Sequence, residues 1–184
     1  MIETLDLSAS SDAPIPINFQ KIHDKAFVNI DEIIDRQPIA LSYGSYQYKG
    51  YTNHIPLVSY GNFMTIVGQP KSMKSFLKSA MVAGYIGGKT SNHFELLRGH
   101  ESKDKFVIDI DTEQGDFHAQ RAFQRVGDMV GANYQKYIPF ALRPLTARER
   151  LQFLEWLIYE SKYRDNNGLS SIDGIADLVD DPNN

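Results

Sequence analysis

The chain has 184 residues, a hydrophobic fraction of 42% and a formal net charge of −4. That is enough for one sizeable core, too little for two full domains, and not the global basic footprint of an autonomous nucleic-acid-binding domain. The absence of cysteine excludes disulfide stapling and thiolate metal sites and fits a reducing interior, and no stretch approaches ~18 uninterrupted apolar residues. Residues 1–17 are acidic and Ser-rich, without a positive segment followed by an apolar run, so a cytoplasmic protein with no membrane partner is expected.

Residues 1–20 carry Ser8, Ser10, Ser11, Asp12, Pro14 and Pro16 without helical periodicity and read as a mobile leader. Residues 38–62 mix tyrosines with glycines (Tyr43, Gly44, Tyr46, Tyr48, Gly50, Tyr51, Tyr60, Gly61), the composition of short strands joined by turns. A small β appendage over 21–60 is therefore expected ahead of a core over 61–184. From Phe63 strands and helices alternate. Residues 63–67 read as a short buried strand, followed by a Gly/Pro/Ser loop and a helix with Phe76, Leu77, Ala80 and Met81 at helical spacing. A second strand is expected at 106–110, then a helix with Ala122, Val126, Met129 and Val130 on one face, ending near Gly131. A third strand at 137–142 is weakened by Pro139 and stopped by Pro144. Thr146 and Glu149 have capping-box spacing and predict a helix to about Tyr163 that buries Leu151, Leu154 and Ile158. After a turn at 165–168, residues 169–172 read as a fourth strand running into Asp173. This order predicts an α/β fold of right-handed βαβ units around a parallel sheet.

Three segments carry chemistry. Gly68, Gln69, Pro70, Lys71, Ser72, Met73, Lys74 and Ser75 resemble a Walker A loop, with the first glycine, the lysine and the serine at the right spacing and Met73 in place of the second glycine. Such a loop wraps backbone amides around phosphate, its lysine neutralises charge, and its hydroxyl ligates Mg²⁺. Met73 demands a compatible backbone angle or carries strain. The plain alternative is a turn ahead of a solvated helix; the strand expected before it and the helix after it favour the phosphate loop. The second segment, 109–114, puts Asp109, Asp111 and Glu113 at the C-terminal end of a parallel strand, where α/β folds bind ligands. Glu113 is the candidate to orient an attacking water, against an acidic turn in which Asp111 or Thr112 caps the next helix. In the third, Asp173 closes an apolar strand, the Walker B arrangement for Mg²⁺.

A degenerate P-loop, a strand ending Asp-Thr-Glu-Gln and a strand ending Ile-Asp-Gly-Ile-Ala-Asp-Leu together resemble the RecA-like ATPases. The resemblance is strongest to the AAA-family ATPases of Bacteroidetes replication and mobile-element loci, which carry Gly-Asn-Phe before the P-loop as Gly61-Asn62-Phe63 does here. It covers residues 55–180. It implies a RecA-like parallel-sheet P-loop NTPase core, with ATP and Mg²⁺ as cofactors. Lys74 and Ser75 take the Walker A positions, Glu113 that of the water-activating glutamate, and Asp173, with Ser75, the metal position. It further implies a homo-oligomer acting on DNA, and a core continuing beyond the Walker B strand, so that 61–184 is a partial, C-terminally truncated core. His118, Arg121, Arg143 and Arg148 continue the resemblance without an assigned role. A nucleotide-gated scaffold with little hydrolysis is the alternative; a small-molecule kinase lacks an arginine-rich lid here.

The remaining signals are weaker. His23, His54, His93, His100 and His118 show no metal-ligand spacing and read as surface or loop residues. The tyrosines over 43–60 ordinarily populate strands, although their faces also suit stacking on a base.

Overall fold

A computed structural model describes residues 17–69, 71–87 and 96–178. Most of the proposed leader, Pro70 of the loop, His93 and the acidic tail 179–184 lie outside the described residues. The chain divides into two units, 1–36 and 37–184. In the first, helix α1 (Phe19–Ala26) begins at Asn18, whose side chain accepts from the Lys21 N–H at 3.0 Å, and none of its residues is buried.

The second unit is mixed α/β, with one antiparallel and one parallel three-stranded sheet. Strands β1 (Ile39–Tyr48) and β2 (Tyr51–Ser59) form a hairpin, and β3 (Leu97–Gly99) pairs antiparallel with the other side of β1. The hairpin turns at Lys49–Gly50, both with positive φ (49° and 82°), the conformation whose twist matches right-handed strands. Strand β4 (Phe106–Asp111) is the centre of the parallel sheet, flanked by β5 (Tyr137–Ala141) and β6 (Asn167–Asp173). Pro139 is tolerated because β5 is an edge strand.

Helices α2 (Lys74–Gly87) and α3 (Asp116–Val130) pack against one another, and α2 also packs on β6. The period of two in β4 separates two cores. Val107 joins Ala40, Leu41, Ala83, Tyr85 and Val126 on the α2/α3 side. Ile108 and Ile110 face Leu154 and Leu157 of α4 (Ala147–Tyr159) on the other. Asp109 and Asp111 alternate with those isoleucines and so lie on the α2/α3 side. Asp173 stands in register with Asp111, and Ile172 packs into the α4 core, which puts Asp173 on the α2 side too.

The expected ends of α3 and α4 are present. Gly131 closes α3 in the left-handed conformation at φ 72°, its N–H donating to Gly127 O. At α4 the Glu149 N–H donates to Thr146 Oγ1 at 3.3 Å while Glu149 Oε2 accepts from the Thr146 N–H at 2.8 Å.

Three expectations are corrected. Residues 63–67 form no strand: among the described residues no neighbour supplies a ladder, and Phe63 and Val67 are 91% and 88% exposed. Only Ile66 of this run packs against the core. In α2 Ala80 and Met81 are buried as expected, but Phe76 and Leu77 are exposed, and the burial runs without interruption from Lys78 to Tyr85. In α4 the buried stripe is Leu154, Leu157 and, beyond the helix, Ser161; Leu151 and Ile158 point outward.

Candidate functional site

The loop at 68–75 enters helix α2 directly. Lys71 and Met73 both adopt left-handed conformations, with φ of 64° and 62°. Left-handed residues in a tight turn swing successive N–H groups to one side, the concave arrangement that binds anions. Met73 thus adopts a left-handed conformation that a glycine would take without strain and that non-glycine residues disfavour. Its side chain is 68% exposed, so no packing holds it there. Its carbonyl accepts the first helical bond, from the Leu77 N–H at 3.0 Å. The N–H groups of Lys74, Ser75 and Phe76 then have no acceptor among the described residues, as a first helical turn leaves them. A Cβ at Gly68 would sit 2.7 Å from Ser72 Oγ, the end of an exposed side chain that would have to turn aside. Lys74 Nζ folds back over the loop, donating to Gly68 O at 2.9 Å and Gln69 O at 3.1 Å.

At the carboxyl ends of β4 and β6 the sheet presents a second group. Asp111 is fully buried; its Oδ1 accepts from the N–H groups of Glu113 (3.0 Å) and Gln114 (2.8 Å), while its Oδ2 is buried with no partner among the described residues. Asp173 Oδ2 is likewise buried without a partner. A buried carboxylate oxygen without a donor is costly, and two adjacent ones mark a place that accepts a cation, a proton or ordered water. Thr112 closes the strand ends: its hydroxyl lies 3.0 Å from Asp173 O and 2.7 Å from Gly174 O. Gly174, at φ 87°, makes this possible, because a Cβ there would lie 2.3 Å from Thr112 Oγ1. The acidic-turn expectation is refined: α3 is preceded by Gly115, which makes no side-chain cap bond, and Asp111 caps its own turn instead of the helix.

One turn along α2 from Lys74, Lys78 reaches down to the same sheet face. Its Nζ is 2.9 Å from Asp109 Oδ1, with the two side chains 10% and 1% exposed. Tyr137 donates to Asp109 Oδ2 at 2.6 Å, and burial, with the Asp109 carboxylate beside it, pushes the phenol far above its usual range. This buried triad fastens the helix that carries the loop to the strand that carries Asp111.

Of the residues expected from sequence, 68–75 lead into α2, Glu113 follows β4 and Asp173 ends β6, and the fold packs α2 against the sheet that carries β4 and β6. Among the described residues no hydrogen bond or ion pair joins Lys74 or Ser75 to Glu113 or Asp173, and the Glu113 side chain is exposed. Asp111, which the sequence puts at the ligand-binding end of β4 with capping as the plain alternative, is singled out in the fold by its burial in register with Asp173. Lys78 and Asp109 were missed as a pair because they are 31 residues apart in sequence. Clefts of about 870 and 640 Å³ lie elsewhere, the first beside Arg98 and Tyr134 and the second between Phe123 and Tyr137. A phosphate loop is a shallow cradle of amides and need not coincide with either.

Metal ligation by the protein alone is not suggested: no group of three or more His, Asp or Glu side chains among the described residues could hold an ion. Mg²⁺ bound with a nucleotide needs no such cage, since it keeps several waters and takes one or two carboxylates plus phosphate oxygens. Asp173 Oδ2 and Asp111 Oδ2 fit that donor set. In comparisons with family models, curated proteins and solved structures, nothing matches this chain.

Proposed function

We propose that this chain is the nucleotide-binding part of a RecA-like P-loop ATPase that binds ATP with Mg²⁺ and uses hydrolysis to drive a conformational or assembly cycle on DNA, working as a homo-oligomer. The observation that carries this reading is the left-handed Met73 directly before α2. Together with left-handed Lys71 and the acceptor-free amides of the first helical turn, it forms an anion cradle with Lys74 poised over it. The orphaned carboxylate oxygens of Asp111 and Asp173 on the α2 side of the sheet support a cation site on the same face. DNA and oligomerisation enter through the family resemblance alone.

In this reading the loop amides and Lys74 neutralise the phosphates, and Lys74 exchanges its two carbonyl partners for phosphate oxygens. Ser75 and Asp173 hold Mg²⁺, which supplies charge neutralisation at the transferring phosphoryl group. Glu113 orients water. A second reading, a nucleotide-gated module with little hydrolysis, is favoured by one observation: no partner among the described residues holds the Glu113 carboxylate in place. Nucleotide affinity and turnover separate the two. Lys74→Ala should abolish ATP affinity with the fold retained, and wild-type affinity in that variant would refute the loop. Glu113→Gln should bind ATP and turn over at least ~100-fold more slowly, the scale of a general base; equal turnover favours the gated module.

A further inference from the structure

Four of the ten tyrosines spend their hydroxyls on partners among the described residues: Tyr60 and Tyr85 lie 2.8 Å apart, Tyr134 donates to Lys105 O at 2.7 Å and Tyr137 to Asp109. Buried tyrosines are expected to do so. Tyr46, Tyr48 and Tyr51 behave otherwise. They are 55%, 59% and 75% exposed, and their hydroxyls make no hydrogen bond among the described residues. The register pairs Tyr46 with Asn53 and Tyr48 with Tyr51, so all three rings stand on one face of the hairpin. Strand geometry spaces Tyr46 and Tyr48 by about 6.8 Å, with Tyr51 about 5 Å across from Tyr48.

Only Leu41 to Tyr43 of β1 pair with β3, so the outer part of the hairpin is a two-stranded ribbon with no third strand beside it among the described residues. Three exposed aromatic rings on an uncovered ribbon form a surface that a merely structural role does not account for. Lys49, at the turn, places its Nζ 5.3 Å from the Tyr48 ring centre. The charge distribution narrows the choice of partner. Residues 37–94 contain five lysines (Lys49, Lys71, Lys74, Lys78, Lys89) and no Asp or Glu, so they carry +5 against a total of −4, leaving −9 on the rest. Of these lysines Lys78 is spent on Asp109, Lys71 and Lys74 belong to the loop at 68–75, and Lys49 is the cation at the hairpin, whose residues 39–59 carry no carboxylate to repel a polyanion.

We propose that the face of the hairpin bearing Tyr46, Tyr48 and Tyr51 is a stacking platform for single-stranded nucleic acid, bound without base preference. Every base has a π-face, so rings without hydrogen-bonding readout give sequence-tolerant stacking, with Lys49 meeting the backbone. Duplexes, whose bases are already stacked on one another, are poor ligands for such a face. This proposal does not depend on ATP binding at the loop, and its test contains no ATP.

The test is fluorescence anisotropy of a labelled oligothymidylate titrated with the 184-residue chain, without ATP, between about 50 and 200 mM salt. Binding should weaken with salt, and a duplex of matched length should bind more weakly. Each of Tyr46→Ala, Tyr48→Ala and Tyr51→Ala should weaken binding by at least about fivefold, whereas Tyr→Phe at the same positions should retain it. Lys49→Ala should reduce the slope of log affinity against log salt by about 0.7, one single-strand phosphate contact. Should an alanine variant misfold, threonine, which keeps strand propensity and removes the ring, replaces it. The proposal is overturned if the wild-type chain does not bind at low salt, if ring removal leaves affinity unchanged, or if duplex binds as well as single strand. It is also overturned if the substitutions abolish self-association while oligothymidylate binding persists, the signature of a second copy seated on this face.

Discussion

At the scale of single residues, two side chains hold positions that an easier choice would have avoided. Met73 sits at φ 62° with its side chain largely in solvent. A left-handed L-residue costs about 1–2 kcal/mol, offset only in part by the larger unfolded-state entropy of glycine. Met73→Gly should therefore leave stability unchanged or raise it by up to about 1 kcal/mol, while the β-branched Met73→Val should lower it by about 1–2 kcal/mol. Urea midpoints at constant slope measure both, and a clear loss in the glycine variant would mean that the methionine side chain holds the loop. The second case is Asp109, whose carboxylate is buried between Lys78 and Tyr137. Removing one member of a buried pair strands the other charge, so Asp109→Ala should cost about 3–5 kcal/mol. Replacing the whole group, Lys78→Met, Asp109→Leu and Tyr137→Phe, should recover most of that loss, because neither a charge nor the phenol is then left without its partner. A double-mutant cycle that shows additivity would mean the pair is not coupled.

At the scale of elements, periodicity explains both what could be read in advance and what could not. Strand β4, helix α3 and the start of α4 were legible because each carries a local signal: a short apolar run ending in acids, a 3.6-residue stripe ending in Gly131, and the Thr146–Glu149 box. Strand β3 has three residues, too few for any alternation, and exists only through its pairing with β1. Residues 63–67 mislead in the opposite way: their composition is that of a buried strand, but a strand is completed by a neighbour, and none pairs with them among the described residues. The α4 stripe was misplaced because Leu151, Leu154, Leu157 and Ile158 offer two overlapping faces, and the contact with Ile108 and Ile110 selects one. The capping box yields a prediction of its own. The Thr146 N–H and hydroxyl hold the Glu149 carboxyl below its ordinary 4.5. A depressed carboxyl contributes stability above its unfolded pKa and loses it as pH falls through the folded one. Thr146→Ala keeps the backbone N–H bond and removes the hydroxyl's, so it should destabilise the fold near neutral pH and somewhat less at pH values below Glu149 protonation, measured by thermal melts across that range. A cost independent of pH would place the whole effect in the threonine cap.

At the scale of the second unit, the parallel sheet divides its labour by face. Even-numbered residues of β4 go to the α4 core, and odd-numbered ones meet α2, the helix that begins at the candidate phosphate loop. Any ligand that gathers the loop amides, Lys74 and the oxygens of Asp111 and Asp173 would tie the start of α2 to the ends of β4 and β6. Among the described residues no hydrogen bond or ion pair joins Lys74 to Asp111 or Asp173. The orphaned oxygens could not be read from sequence, because they depend on register between strands some 60 residues apart, as Thr112 and Asp173 also are. The consequence is a linkage effect on the whole fold. A ligand bound only by the native state stabilises it by about 2.7 kcal/mol at about 100 times its Kd, which for a unit of this size raises the melting temperature by about 5–10 °C. ATP with Mg²⁺ should produce a shift of that order in the wild-type chain. Lys74→Ala should show none, because its loop no longer neutralises the phosphates. Asp173→Asn should keep part of the shift with ATP and lose the additional part that Mg²⁺ brings, because the amide oxygen is a weaker, uncharged ligand than the carboxylate. Scanning calorimetry of the three proteins, with nucleotide alone and with nucleotide plus metal, separates these contributions. An equal shift in all three would mean that the nucleotide binds away from the loop and the carboxylate edge.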